Sequence, residues 1–180
     1  PREVVLALPP PSEGYSSLKM VYPPLSLVSI ASFLKREQPG TRVRILDGQV
    51  MNMETMLRRA TASKPDVVGL SVSLLNYKNA LQLAEAAKQL GALVVFGGHY
   101  ATSIPERTLN NRPFVDAVVC GDGEIAFTDL VAGKPWREIP NLTYRDRGEV
   151  VRNRRVNLDL AALPLPDYAL IEKMDAYINA

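Results

Sequence analysis

The chain has 180 residues, 47% of them hydrophobic, which is long enough for one full-sized core with a short appendage. Its 21 lysines and arginines exceed its 19 aspartates and glutamates by a net +2, so no broad field of one sign exists to hold a polyphosphate backbone or an anionic membrane. The single cysteine, Cys120, excludes an intrachain disulfide and any iron–sulfur cluster or structural zinc site built from several thiolates of this chain, and it points to a cytosolic protein.

No apolar run approaches the ~20 residues that span a bilayer, and the apolar part of the opening PREVVLALPPP is too short for a signal-peptide core. The chain lacks an initiator methionine and stops in the helix-like IEKMDAYINA, from which we expect a piece of a longer polypeptide.

Strand and helix patterns alternate along the chain. EVVLAL (Glu3 to Leu8) is a β-rich run ended by three prolines, which cannot continue a ladder. After a long loop, LSLVSIASFLKRE from Leu25 places Leu27, Ile30, Ala31 and Leu34 on one helical face and ends at Pro39-Gly40. RVRILDG is a second strand and Met53 to Ser63 a second helix. PDVVGLSVS is a nearly continuous apolar run, as a central parallel strand covered on both faces requires, and it leads into the helix NYKNALQLAEAAKQLG with a glycine stop. ALVVFGG is the fourth strand, IPERTLNN a short helix, FVDAVVCG the fifth strand, and a helix runs from Gly123-Glu124 to Val131.

Five strands alternating with helices predict an α/β, doubly wound, flavodoxin-like domain with a five-stranded parallel sheet over residues 1–133. Residues 134–180 read as a β-hairpin flanking Arg147-Gly148, in IPNLTYRDRGEVVRNRRVN, followed by the extended, proline-stiffened ALPLPDYALI.

In open parallel sheets ligands bind beyond the carboxyl ends of the strands. The first strand is followed by Pro9, Pro10 and about 16 residues of loop that include Tyr22. Ser71, Val72, Ser73 and Leu74 follow the third strand, Gly97, Gly98, His99 and Tyr100 the fourth, and Gly121, Asp122, Gly123 and Glu124 the fifth. Small hydroxyls and glycines at three adjacent strand ends let a bulky ligand approach the backbone, although the same residues also populate ordinary turns.

Several uses of such a fold fail at these positions. A phosphoryl-accepting receiver needs carboxylates where Ser71 and Pro9-Pro10 stand; no G-x-G-x-x-G or Gly-Lys-Ser/Thr loop follows the first strand; and no G-x-S-x-G elbow presents a serine to His99, the only histidine. Asp47 reads first as a turn carboxylate bonding backbone N–H groups, Glu124 as a first-turn acid stabilised by the helix dipole, and Cys120 as a small apolar strand residue. Arginines 145, 147, 152, 154 and 155 read as the solvated face of the hairpin rather than an anion site.

An ordered set of segments covering nearly the whole chain resembles the N-terminal cobalamin-binding domain of cobalamin-dependent radical S-adenosylmethionine (radical SAM) enzymes. These are YPPLSLVSIASFLKRE, RILDG, PDVVGLSVS, VVFGGHYAT, DAVVCGDGE, IPNLTYRDRGEVV and LPLPDYALI. The resemblance implies a corrin over the strand ends, with its nucleotide tail in the crevice near the third and fourth strands. Ser71 and Ser73 would lie along the tail, or else cap the helix near Asn76. Gly97 and Gly98 would leave room for the tail, His99, Tyr100 and Ala101 would line its outer end, and Gly121 to Glu124 would contact its polar groups. Tyr22 would pack on corrin or staple the start of the first helix.

Two departures from the family pattern matter. The cobalt-binding motif Asp-x-His-x-x-Gly is absent from PPPSEGYSS, which implies base-off cobalamin with no histidine from this loop and no metal ligand in the chain. The three-cysteine motif of a radical SAM domain is also absent, so the [4Fe-4S] cluster and S-adenosylmethionine belong to a missing C-terminal domain of a methyltransferase-like parent, and catalysis is not located here. The alternative is a flavodoxin-like scaffolding or interaction domain that has lost cobalamin.

Overall fold

The computed structural model describes residues 2–14, 21–172 and 174–178. The expected loop after the first strand therefore lies partly outside the described residues.

The strands are β1 (Glu3–Leu8), β2 (Arg42–Asp47), β3 (Val67–Ser71), β4 (Leu93–Gly97), β5 (Ala117–Val119), β6 (Leu142–Asp146) and β7 (Glu149–Arg152). They form one sheet in the order β2-β1-β3-β4-β5-β6-β7. The first five are mutually parallel, while β6 and β7 are antiparallel to their neighbours. The parallel part keeps the expected doubly wound order. The expectation of five strands is corrected to seven, because the hairpin pairs with β5 (Ala117 opposite Tyr144, Val119 opposite Leu142) instead of standing apart. Arg147 (φ 49°) and Gly148 (φ 90°) both take the left-handed conformation that a tight two-residue hairpin turn demands.

The helices are α1 (Leu25–Glu37), α2 (Met53–Ala62), α3 (Tyr77–Gln89), α4 (His99–Ser103), α5 (Pro105–Asn111), α6 (Glu124–Ala132) and α7 (Asp175–Ile178). The helical stretch expected from Ile104 is thus preceded by a further turn of helix that opens at His99. Alternation along β1 divides the core: Val5 and Ala7 pack with Met56, Leu83 and Leu109 on one face, and Val4 and Leu6 pack with Leu27, Leu34, Phe127 and Leu130 on the other. Consequently α1 and α6 cover one face of the sheet and α2 to α5 the other, as right-handed crossovers dictate.

After Arg152 the chain crosses back over α1. Arg36 donates to the Ala162 carbonyl (2.8 Å), the Asp167 N–H donates to Ser32 Oγ (2.8 Å), and Ile171 is buried in the α1 side of the core. This return brings α7 to the β2 edge, where the Tyr177 hydroxyl donates to Asp47 Oδ2 at 2.6 Å.

Candidate functional site

A cavity of about 410 Å³ opens at the carboxyl ends of β3, β4 and β5, beneath α1 and the start of α6. Its size falls in the range of small-molecule sites. The floor is apolar, formed by Leu6, Val95, Val119 and Phe127. Gly69 makes that floor possible: a Cβ there would stand 2.6 Å from the Phe127 ring and 2.8 Å from the Leu6 side chain.

The rim is polar and comes from the loops after the strands. Ser71, Val72 and Ser73 line one side, Gly97, Gly98 and His99 the next, and Gly121, Gly123 and Glu124 the far side, so these expected residues do meet around one space. The backbone holding them is tightly ordered. Val72 N–H donates to the Gly97 carbonyl (2.8 Å) and the Val72 carbonyl accepts from Tyr100 N–H (3.2 Å), while the Gly121 N–H donates to Thr102 Oγ1 (3.2 Å).

The two glycines after β4 have different roles. At Gly98, φ is +88° and a Cβ would lie 2.7 Å from the Val72 carbonyl oxygen, so this glycine exists for close backbone approach. At Gly97 the nearest atom to an added Cβ is the Val119 carbonyl oxygen at 3.9 Å, so the missing side chain leaves real space on the cavity side.

The capping assignment reverses between serines and asparagine. Buried Asn76 accepts from the Ser73 N–H (2.8 Å) and donates to the carbonyls of Ser71 (3.1 Å) and Pro9 (3.3 Å). Asn76 therefore organises the loop, and among the described residues the hydroxyls of Ser71 and Ser73 have no intramolecular partner. They line a cavity with their hydrogen-bonding capacity unused. Glu124, buried as the first residue of α6, accepts from Ser29 Oγ at 2.7 Å, which ties α1 to α6 while the local dipole favours the carboxylate.

The other expected site residues stand away from the cavity lining. Pro9 and Pro10 are buried between the β2 turn and α3, with the Pro10 carbonyl accepting from Asn79 (3.0 Å) and the Pro10 backbone filling the space where Gly48 has no side chain. Tyr22 is 63% exposed and its carbonyl accepts from Gln49 (2.9 Å). Leu74 is exposed, Ala101 is buried in the core, and Tyr100 packs edge-on against Tyr77 with 5.0 Å between ring centroids. Sequence reasoning missed the contribution of α1, whose Ser26, Leu27 and Ile30 line the cavity. Their 3.6-residue period signals a helix face toward the sheet, but it cannot tell which turn covers a gap.

Asp47 accepts from the Gln49 N–H (2.9 Å), as a turn carboxylate does, and also from Tyr177. Burial pushes its carboxyl above the usual carboxylate range, against the opposing pull of the Tyr177 and Gln49 hydrogen bonds. The same burial and the adjacent Asp47 raise the Tyr177 phenol. Among the described residues no cluster of three or more His, Cys, Asp or Glu side chains could hold a metal ion, and no helix is long and apolar enough to cross a membrane.

Residues 15–131 match the family model described as the B12 binding domain. An uncharacterized methyltransferase of Pyrococcus horikoshii is 32% identical over 97% of this chain and 40% of its own length. A cobalamin-dependent radical SAM methyltransferase of Streptomyces tokunonensis, TokK, is 26% identical over 64% of this chain and 18% of its own. Among solved structures, the cobalamin-dependent S-adenosylmethionine radical enzyme OxsB, with aqua-cobalamin and S-adenosylmethionine bound, superposes with a TM-score of 0.82 at 19% identity over 99% of this chain and 25% of its own. The chain thus spans well under half the length of these relatives. The chain belongs to the B12-binding domain family and is related to cobalamin-dependent radical SAM methyltransferases.

Proposed function

We propose that this chain holds cobalamin at the ends of β3, β4 and β5, with its nucleotide tail in the cavity and its corrin over the strand ends, in base-off form and without a histidine from the loop after β1. The observation that carries the reading is an apolar floor under a rim of serine hydroxyls with no partner among the described residues, opened by the absent side chain of Gly97. An elongated ligand with an apolar body and polar linkages fits that donor set. Ser71 and Ser73 would hydrogen-bond its polar atoms, Gly97 would admit it, and the loop from Gly121 to Glu124 would close around it. Bound there, cobalamin would supply a cobalt-centred carrier of alkyl groups. The protein's share is to bind, orient and shield it.

Residues 1–133 form the cofactor-binding unit in this proposal, and 134–180 the hairpin and linker toward a radical SAM domain of the same cytoplasmic polypeptide. The fraction of each relative that this chain spans supports that arrangement. The [4Fe-4S] cluster and S-adenosylmethionine would sit in that further domain, which would also carry the methyl-transfer chemistry. Titration of the purified chain with hydroxocobalamin tests the reading: saturable binding with a base-off visible spectrum free of histidine ligation is expected. Absence of a saturable spectral change overturns cobalamin binding, and a histidine-ligated spectrum overturns the axial assignment.

A further inference from the structure

The arginines that follow the sheet's last crossover separate into distinct places. Arg145 is committed to backbone carbonyls, those of Leu109 (2.6 Å) and Pro113 (3.1 Å) and that of Val115. Arg152 pairs with Glu106 at 3.0 Å. Arg155 has no ion pair or hydrogen bond among the described residues, yet its terminal nitrogen lies 3.4 Å from where a Cβ on Gly121 would stand. Gly121, with φ +94°, lines the cavity, so a guanidinium with no ion pair among the described residues stands just outside the lining, beside a rim glycine that has no side chain to come between it and the cavity.

That position is built by the backbone. Buried Asn141, held at φ +64°, donates its backbone N–H to the Arg154 carbonyl (3.0 Å); its side chain accepts from the Val156 N–H (2.8 Å) and donates to the Val156 carbonyl (3.0 Å). The residues on both sides of Arg155 are therefore clamped. The Asn141 carbonyl in turn accepts from the Cys120 N–H (2.8 Å), which fixes the clamp to the end of β5. Asparagine is one of the few non-glycine residues that adopt this left-handed conformation readily, so residue type and clamp agree at position 141. Nearby Asp122 supplies a carboxylate on the rim, but its Oδ2 accepts from the Leu158 N–H (3.4 Å) and makes no ion pair with Arg155.

We infer that Arg155 is an anion-binding residue of this cavity, placed by Asn141 to take the phosphodiester of the bound cobalamin's nucleotide tail. The inference rests on the proposed cobalamin reading and adds a residue from outside the α/β core to it. A guanidinium suits a phosphodiester because its donors can meet two oxygens at once. The net charge of the chain is only +2, so attraction of the anion depends on local placement rather than on the field of the whole molecule.

Equilibrium titration with two probes tests this: hydroxocobalamin, and dicyanocobinamide, a corrinoid without the nucleotide and its phosphodiester. Arg155→Gln should weaken cobalamin binding about fivefold, an effect that shrinks as salt is raised, and should leave cobinamide binding unchanged. Arg155→Lys should keep part of the affinity, and Arg154→Gln, a neighbouring charge loss, should alter neither ligand. Equal cobalamin affinity in Arg155→Gln and the parent chain, or equal losses for both corrinoids, overturns the role of Arg155. Failure of the parent chain to bind either corrinoid instead overturns the cobalamin reading itself.

Discussion

The two halves of the sheet's carboxyl edge are finished in opposite ways. At β1 and β2 the described residues pack the edge closely: the Pro10 backbone occupies the side-chain space of Gly48, Asn79 bonds the Pro10 carbonyl, and Tyr177 from the returning C-terminal segment covers Asp47, beside a pocket of about 20 Å³. At β3, β4 and β5 the backbone is locked as firmly, through Asn76, Val72 and Thr102, but the side-chain layer is left open above it. Glycine serves both designs. At Gly48 and Gly98 its missing Cβ lets backbones touch, whereas at Gly97 it leaves a space that none of the described residues fills. A rigid frame around an unfilled, partly polar gap is the signature of a binding site; a filled edge belongs to the scaffold.

Substitutions that push on closed contacts should have the largest effects. Gly98→Ala places a Cβ 2.7 Å from the Val72 carbonyl oxygen and forces a side chain onto φ +88°, and Gly48→Ala drives into the Pro10 backbone. Each should destabilise the chain by about 3 kcal/mol, read as a lowered midpoint in urea or thermal unfolding. A midpoint unchanged within error would show that these loops yield and that the frame is softer than the contacts imply.

A smaller effect is expected where the C-terminal segment meets the sheet edge. Tyr177→Phe removes one hydrogen bond to Asp47 and should cost ~1 kcal/mol. Its pH dependence has a defined sign. Because burial raises the Asp47 carboxyl above its ordinary 3.8, the folded state binds the proton more tightly than the unfolded chain. The associated stability is therefore fully present below that ordinary value and is lost as pH rises through the folded-state value. Removing Tyr177, whose hydrogen bond pulls the carboxyl down, should move this loss to higher pH and deepen it. Parallel stability profiles for Tyr177→Phe and the parent would contradict the contact.

The sequence carried much of this fold because its parallel strands are short apolar runs bounded by glycine and proline, and the helices between them have clean 3.6-residue faces. The hairpin was legible locally through Arg147-Gly148, but its attachment to β5 was not: β5 has three paired residues, and a strand's partner is a long-range choice that local pattern does not encode. Leu142, Thr143 and Tyr144 are all buried, yet Leu-Thr-Tyr-Arg alternates apolar and polar residues, so the sequence carried no local sign that both faces of this strand are covered.

The site followed the same division. The rule that ligands sit at strand ends located Ser71, Ser73, Gly97 and the Gly121 loop, yet nothing in Gly-Gly distinguishes a residue that spares backbone from one that leaves room. Pro9 and Pro10 obeyed the strand-end rule and still became scaffold, because the turn after β2 packs on the Pro10 backbone at the end of β1. The arginine-rich run shows the reverse case, where residues of one charge and one segment have separate roles set by where β6 and β7 dock.

The central claim is that the open space at Gly97 holds the cofactor, and hydroxocobalamin titration of Gly97→Val, with its unfolding midpoint measured alongside, tests it most directly. Among the described residues, chain neighbours aside, no atom lies nearer than 3.9 Å to an added Cβ, so the variant should remain folded while its cobalamin affinity falls at least about tenfold, ~1.4 kcal/mol. A folded Gly97→Val protein that binds cobalamin as tightly as the parent would contradict the assignment of this cavity.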